Sequence, residues 1–176
     1  MEQKSWLEEM NRQTLARQVL ETNCYTQKYG LVLREEDAAL LAQERTNVLK
    51  AERRVEFGQS IMPKIIYTFC DSSYVNQDNY CDSLARLQEI FYQYKNEMED
   101  EITDDELLEF MREQFENVCC GDFGYLEGTC LDIFAQAIRA GYSGYRESGG
   151  KGEFEKFDIV RRWDRELYLE ALMDLF

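Results

Sequence analysis

Apolar residues recur at spacings of three and four along most of this chain, which places their side chains on one face of an α-helix. The pattern is clearest in the segment 80–98, whose apolar positions are Leu84, Leu87, Phe91, Tyr94 and Met98. No segment keeps the strict alternation that is typical of a half-buried strand. The pattern therefore predicts an all-α fold, a single-domain bundle of about seven helices with an aromatic-rich core.

Capping signals indicate where several of these helices begin. Ser5 with Glu8 and Thr103 with Glu106 have the spacing of a capping box, and Thr129 is a further predicted N-cap. The segment between the first two helices is predicted to be a loop or a short extended piece. The predicted helices begin near residues 6, 35, 61, 80, 104, 130 and 157.

A glycine-containing segment separates the last predicted helix from the others. Residues 1–145 are predicted to form a helical domain, and residues 146–176 a linker and a C-terminal helix that docks on the same domain. This last helix is apolar on more than one face, so part of it either packs on the bundle or meets a second subunit or partner. Its candidate interface residues are Trp163, Tyr168, Leu172 and Phe176.

The charge balance narrows the range of partners. The chain has 35 acidic and 20 basic residues, a formal net charge of −15, so it repels phosphate backbones and anionic lipid. We expect neither nucleic acid nor membrane as a partner, and we expect a protein partner to present a basic surface. The first nine residues lack the apolar core of a secretory signal, which predicts a cytoplasmic protein with reduced thiols.

The chain contains no histidine, which excludes several catalytic classes. Without histidine there is no Ser-His-Asp triad, no histidine general base, and no histidine ligand for zinc or haem. The glycine-containing segments also lack the preceding strand and the Gly-Lys-Ser/Thr element of a phosphate-binding loop. The sequence therefore predicts no cofactor and favours a protein that is not an enzyme.

The densest chemical feature is an acidic stretch, residues 97–116, in which ten of twenty residues are Asp or Glu. Acids at the start of the helix that follows Thr103 are favoured by the helix dipole. Four others close the preceding helix, where the dipole disfavours negative charge. The stretch is a solvated face, a partner surface or a cation site. The candidate metal ligands are Glu97, Glu99, Asp100 and Glu101.

Three cysteines form the second candidate site. Cys119, Cys120 and Cys130 lie in or beside a predicted loop that contains glycine, and a thiol there is a candidate for redox sensing. No C-x-x-C spacing supports a zinc site. Cys70 and Cys81 are predicted to fill the core.

Short motifs also carry a resemblance to a known family. They are Tyr29-Gly-Leu, Val55-Glu-Phe-Gly58, Phe69-Cys-Asp-Ser72, Gln77-Asp-Asn-Tyr80, Ile90-Phe-Tyr92, Tyr94-Lys-Asn-Glu97, Asp104-Asp-Glu-Leu107 and Glu127-Gly-Thr129. From about Tyr25 to Tyr145 the chain resembles a family of uncharacterised proteins of Firmicutes bacteria, defined as a domain of unknown function. The resemblance implies a bacterial cytosolic protein, and it carries no catalytic residue or ligand to this chain.

Three hypotheses for function follow from these observations. The first is a non-enzymatic cytosolic helical protein that acts through protein–protein interaction. The alternative is a carboxylate-based binder of divalent cations or a metal-assisted enzyme, and the third is a thiol redox sensor. The sequence leaves the oligomeric state open.

Overall fold

The computed structural model describes residues 2–56 and 59–139. Within these ranges the regular structure is entirely helical, with six helices of two turns or more and two single turns of α-helix. The elements are α1 (Glu2–Glu21), α2 (Asn23–Thr26), α3 (Glu35–Ala51), α4 (Met62–Phe69), α5 (Tyr80–Glu97), α6 (Asp104–Asn117), α7 (Phe123–Tyr125) and α8 (Leu131–Arg139). The all-α prediction is confirmed for the part that the structure describes. The seventh predicted helix, near residues 157–176, lies outside it.

The chain divides into two compact units, and the boundary falls inside α5, after Tyr92. In the first unit α1 packs against α3 and α4. The contact surface is apolar because each helix presents a stripe of aliphatic or aromatic side chains with almost no solvent exposure. These side chains are Leu15 and Val19 of α1, Ala38, Leu41 and Ala42 of α3, and Met62, Ile65, Ile66 and Phe69 of α4.

The beginning of α1 differs from the sequence-based prediction. The helix starts at Glu2, so Ser5 lies inside it and is not its cap. Trp6, Leu7 and Met10, which belong to the predicted apolar stripe, are exposed. A periodic stripe predicts a helix, but burial also requires a packing partner along its whole length.

The segment between α2 and α3 is fixed by two side-chain amides. After a 3₁₀ turn and Gly30, whose φ of 77° is left-handed, residues 31–34 belong to no helix or strand. Asn23 accepts from the backbone N–H of Leu33 and donates to its carbonyl, both at 2.8 Å. Gln77 does the same for Val32, also at 2.8 Å. The two amides thus replace the ladder that a neighbouring strand would supply.

In the second unit, a π-helical turn, Leu126–Cys130, contacts α6, α7 and α8. Phe110 of α6 and Phe134 of α8 stack with their ring centroids 3.8 Å apart and their planes 12° apart. Both rings are fully buried, so they fix the distance between the two helices. The largest fully buried side chains in the described residues are mostly aromatic, including Phe69, Tyr80, Phe91, Tyr92, Tyr94 and Phe115.

Two predicted caps have opposite outcomes. Thr103 is the N-cap of α6: its Oγ1 accepts from the backbone N–H of Glu106 at 3.2 Å. The Glu106 carboxylate accepts in return from the N–H of Thr103 at 2.8 Å, which completes the capping box. Thr129 is not a cap, because it lies inside the π-helical turn and α8 begins after it.

We expect Thr103→Ala to lower the free energy of unfolding by about 1 kcal/mol, because the N–H of Glu106 loses its acceptor. Urea denaturation followed by circular dichroism measures this change. Thr129→Ala is the matched control, since Thr129 makes no cap, and its effect should stay within about 0.5 kcal/mol. Equal losses in the two variants would contradict the assigned cap.

Candidate functional site

The acidic stretch from Glu97 to Glu116 contains a buried cation contact. The side chain of Lys95, near the end of α5, is only 8% exposed. Its ammonium donates to the carbonyl of Ile102 at 2.6 Å and pairs with the Asp104 carboxylate at 2.8 Å. One lysine therefore ties the last turn of α5 to the loop after it and to the first residue of α6.

The first of the four candidate metal ligands has a cationic partner. The Glu97 carboxylate pairs with the guanidinium of Arg139, on α8, at 2.8 Å. Both side chains are close to half exposed, so the pair contributes less than about 1 kcal/mol to stability. The pair offsets part of the unfavourable interaction between the Glu97 charge and the helix dipole.

The next three candidates form the reversal of the chain after α5. Glu99 and Asp100 have left-handed φ angles of 52° and 56°. The N–H of Asp100 donates to the carbonyl of Lys95 at 3.1 Å, and that of Glu101 to the carbonyl of Met98 at 3.0 Å. These acids therefore lie in a helix-terminating turn, where the backbone reverses within four residues.

The described residues contain no group of three cysteines or carboxylates close enough together to hold a metal ion. The cation hypothesis for Glu97, Glu99, Asp100 and Glu101 stays a prediction. Calorimetric titration with Ca²⁺, Mg²⁺ and Mn²⁺ tests it directly.

The remaining acids of the stretch also contribute to α6. Glu106 is buried and forms half of the capping box. The Glu116 carboxylate forms an ion pair with the guanidinium of Arg112 at 3.1 Å, one turn away. Burial, and then the neighbouring charge of Glu109, raises the pKa of Glu113. Much of the negative charge is thus held by contacts within α6 and at its start.

The π-helical turn is anchored by a tyrosine of α5. The Tyr94 hydroxyl has two acceptors, the carbonyl of Glu127 and the Asp132 carboxylate, the latter at 2.8 Å. Desolvation by burial, and then the hydrogen bond to Asp132, raises the pKa of Tyr94. The hydroxyl therefore stays a neutral donor, and its single proton serves one acceptor at a time.

The structure brings two of the three candidate thiols together. The Sγ atoms of Cys119 and Cys130 are 3.5 Å apart, and both side chains are buried. Desolvation raises the pKa of both thiols. Cys120 is exposed, and its left-handed φ of 49° puts it in the turn that ends α6. The pair is therefore a protonated dithiol inside the second unit.

The structure also reveals a tyrosine surface, which the sequence reasoning missed. It consists of Tyr25, Tyr29, Tyr67 and Lys28, all in the first unit. The ring centroids of Tyr25 and Tyr67 are 5.3 Å apart in an edge-to-face arrangement, and those of Tyr25 and Tyr29 are 6.1 Å apart. The Lys28 ammonium lies 4.0 Å from the centroid of Tyr25 and 5.2 Å from that of Tyr29. The three rings therefore form one ordered group.

The sequence predicts a loop or a short extended piece between the first two helices, whereas α2 and the 3₁₀ turn hold Tyr25 and Tyr29 at fixed positions. The helix α4 buries only one of its faces, and Tyr67 lies on the exposed face. A Tyr-x-x-Lys-Tyr spacing beside a helix with a lone tyrosine is the signal that the sequence offered.

The predicted interface residues Trp163, Tyr168, Leu172 and Phe176 lie outside the described residues. The tyrosine surface is an exposed aromatic cluster within the part that the structure describes.

The described residues thus form an all-helical protein with a buried dithiol in its second unit. The chain matches the Family of unknown function (DUF6323) over residues 18–144, so it belongs to that family. The match covers the motifs that carry the resemblance noted above. Neither the curated proteins nor the solved structures contain a match to this chain. Within the described part, the helices are all too short or too polar to cross a membrane.

We expect Lys95→Met to lower the free energy of unfolding by about 1–3 kcal/mol, because the buried carbonyl of Ile102 loses its donor. Methionine keeps the length and apolar character of the lysine stem. The decrease in the free energy of unfolding therefore measures the contribution of the ammonium group. Chemical denaturation measures it.

Asp104→Asn is the control for the charge pair alone. The Asp104 side chain is 44% exposed, so this change should cost less than about 1 kcal/mol. A Lys95→Met protein as stable as the wild type would show that water can take over the role of the ammonium.

Proposed function

We propose that this protein is a non-enzymatic, cytoplasmic binding protein, and that the tyrosine surface of its first unit contacts a protein partner. One observation carries the proposal. Tyr25, Tyr29 and Tyr67 are 43%, 43% and 51% exposed and yet hold one another in edge-to-face contact.

Such a cluster suits binding because its rings are ordered before a partner arrives. Tyrosine has few rotatable bonds and combines apolar area with a hydroxyl, which is why it is enriched among the residues that dominate binding energy. Contacts with Lys28 and between the rings reduce the remaining freedom. Binding to this surface therefore costs less side-chain entropy than binding to isolated tyrosines would.

The charge of the chain supports a partner with a basic surface. A net charge of −15 attracts cationic proteins over distances comparable to the Debye length, about 8 Å at physiological salt. The tyrosine surface would supply the apolar contact, and the net negative charge of the chain would speed the encounter. Binding should therefore weaken as ionic strength rises.

We expect the double variant Tyr25→Ala/Tyr67→Ala to lose a partner that the wild type captures from an extract of its own organism. Truncating two anchoring aromatics at the centre of an interface weakens binding by about tenfold or more. Affinity capture and quantitative mass spectrometry, repeated over a range of salt concentrations, measure the loss.

Tyr125→Ala is the matched control. Tyr125 is 46% exposed, like the tyrosines of the surface, but it lies in the second unit. It should leave capture unchanged, and thermal unfolding should show that all variants are folded. Capture that survives the double variant, or the absence of any protein enriched at physiological salt, would overturn the proposal.

We propose thiol-based redox sensing as a second candidate, because the Cys119 and Cys130 sulfurs are 3.5 Å apart. A disulfide needs a separation of about 2.05 Å, so a small movement would allow the bond. In a reaction with hydrogen peroxide, one thiol becomes a sulfenic acid and releases water. The second thiol then attacks that sulfur, releases another water and leaves the disulfide.

We expect mild peroxide treatment to join Cys119 and Cys130, with the loss of two hydrogen atoms. Burial raises the pKa of both thiols, so the reaction should be slow at neutral pH and faster at alkaline pH. Mass spectrometry of proteolytic fragments identifies the linkage, and Cys119→Ser should abolish it. Oxidation confined to the exposed Cys24 and Cys120 would count against this second function.

A further inference from the structure

The first unit contains a small polar cavity of about 120 Å³. It lies beside the middle of α1, with α3 and the segment before α4 completing its wall. A cavity of about 150 Å³ can hold a molecule as large as benzene, so this one has room for a small organic molecule. The lining residues are Asn11, Thr14, Leu15, Gln18, Arg45, Glu56 and Ser60.

The wall contains one cation, Arg45, that lacks a counter-ion among the described residues. The Nε of Arg45 is sealed from solvent and has no hydrogen-bond partner. Among the residues that the structure describes, no carboxylate forms an ion pair with its guanidinium. A guanidinium offers five N–H donors in a planar fork that matches a carboxylate. Leaving the sealed Nε of Arg45 unpaired costs free energy that the oxygen of a bound anion would recover.

The one acid in the wall already has a partner. The Glu56 carboxylate accepts from both Nε and a terminal nitrogen of Arg54, at 3.1 and 3.0 Å. Its charge is therefore largely neutralised by that guanidinium. With Glu56 paired to Arg54, the charge of Arg45 leaves the lining of the cavity with a net positive charge.

Neutral hydrogen-bonding groups complete the site. Asn11, Thr14 and Gln18 follow one another on a single face of α1. Within the described part of the chain, their side chains make no hydrogen bond to another residue. The hydroxyl of Ser60 accepts from the backbone of Met62 at 3.1 Å and keeps its own proton to donate. These groups would recognise the polar part of a ligand, while Leu15 adds one apolar contact.

We infer that this cavity binds a small organic monocarboxylate through Arg45. One unpaired cation matches one negative charge, whereas a phosphate dianion would leave an excess charge beside Glu56. Amide and hydroxyl groups around the guanidinium suit a ligand with a hydroxyl or carbonyl next to its carboxylate. The inference is independent of the tyrosine surface, because it uses none of that surface's residues.

The test measures the binding of acetate, glycolate and inorganic phosphate by calorimetry and by thermal unfolding. We expect glycolate to bind saturably and to raise the unfolding temperature, acetate to bind more weakly, and phosphate to bind least. Arg45→Met should weaken glycolate binding by about tenfold or more, because it removes the charged fork and keeps most of the side-chain volume.

Arg17→Met is the matched control, since Arg17 is an exposed arginine of α1 that does not line the cavity. It should bind glycolate as the wild type does. Gln18→Glu gives an independent check if Arg45→Met folds poorly, because it places a carboxylate in the cavity and should displace the ligand. The inference is overturned by the lack of saturable binding of either carboxylate, by phosphate binding more tightly, or by undiminished binding in both cavity variants.

Discussion

Backbone N–H and C=O groups at the ends of helices have no partner within the helix and need one elsewhere. In this protein a few polar side chains provide those hydrogen bonds. Asn23 and Gln77 each satisfy both backbone groups of one residue in the extended segment 31–33. Lys95 donates to a buried carbonyl, and Thr103 accepts from the first turn of α6. A buried backbone group without a partner costs about 1–3 kcal/mol, which is a large share of the stability of a domain. The apolar stripes therefore pack in a fold whose connections keep their backbone groups paired.

The same constraint accounts for much of the acidic stretch. A helix end that carries several carboxylates is unfavourable by itself, because the dipole and the mutual repulsion act in the same direction. Lys95 and Arg139 each offset part of this charge, and the capping box uses Glu106 as an acceptor. Several acids of the stretch therefore have a structural role, although the stretch as a whole is densely charged. The negative field that remains still shapes which partners approach, since it acts over the whole surface.

The sequence predicts those features that depend on neighbours along the chain. The stripe over residues 80–98 and the box at Thr103 need only three- and four-residue spacings, and both are present in the structure. Thr129 carries the same local signal, yet the chain reaches it through a π-helical turn that no spacing rule indicates. Trp6 lies on a genuine helix, but its exposure is decided by which other elements cover that part of α1. The Arg45 cavity depends on three segments distant in sequence, so it could be found only in the structure.

Residues that close the fold and residues that remain available for binding are different sets in this chain. Lys95 and Thr103 are engaged with the backbone, so changing them alters stability before anything else. Tyr67 contacts the exposed ring of Tyr25, and the Nε of Arg45 has no partner among the described residues. The helices α4 and α3, which carry them, bury other residues in the core. The sealed Nε of Arg45 carries a cost in the folded protein, and the exposed part of each tyrosine ring leaves apolar area in water. A ligand at each site would offset that cost, and the two sites need not bind the same ligand.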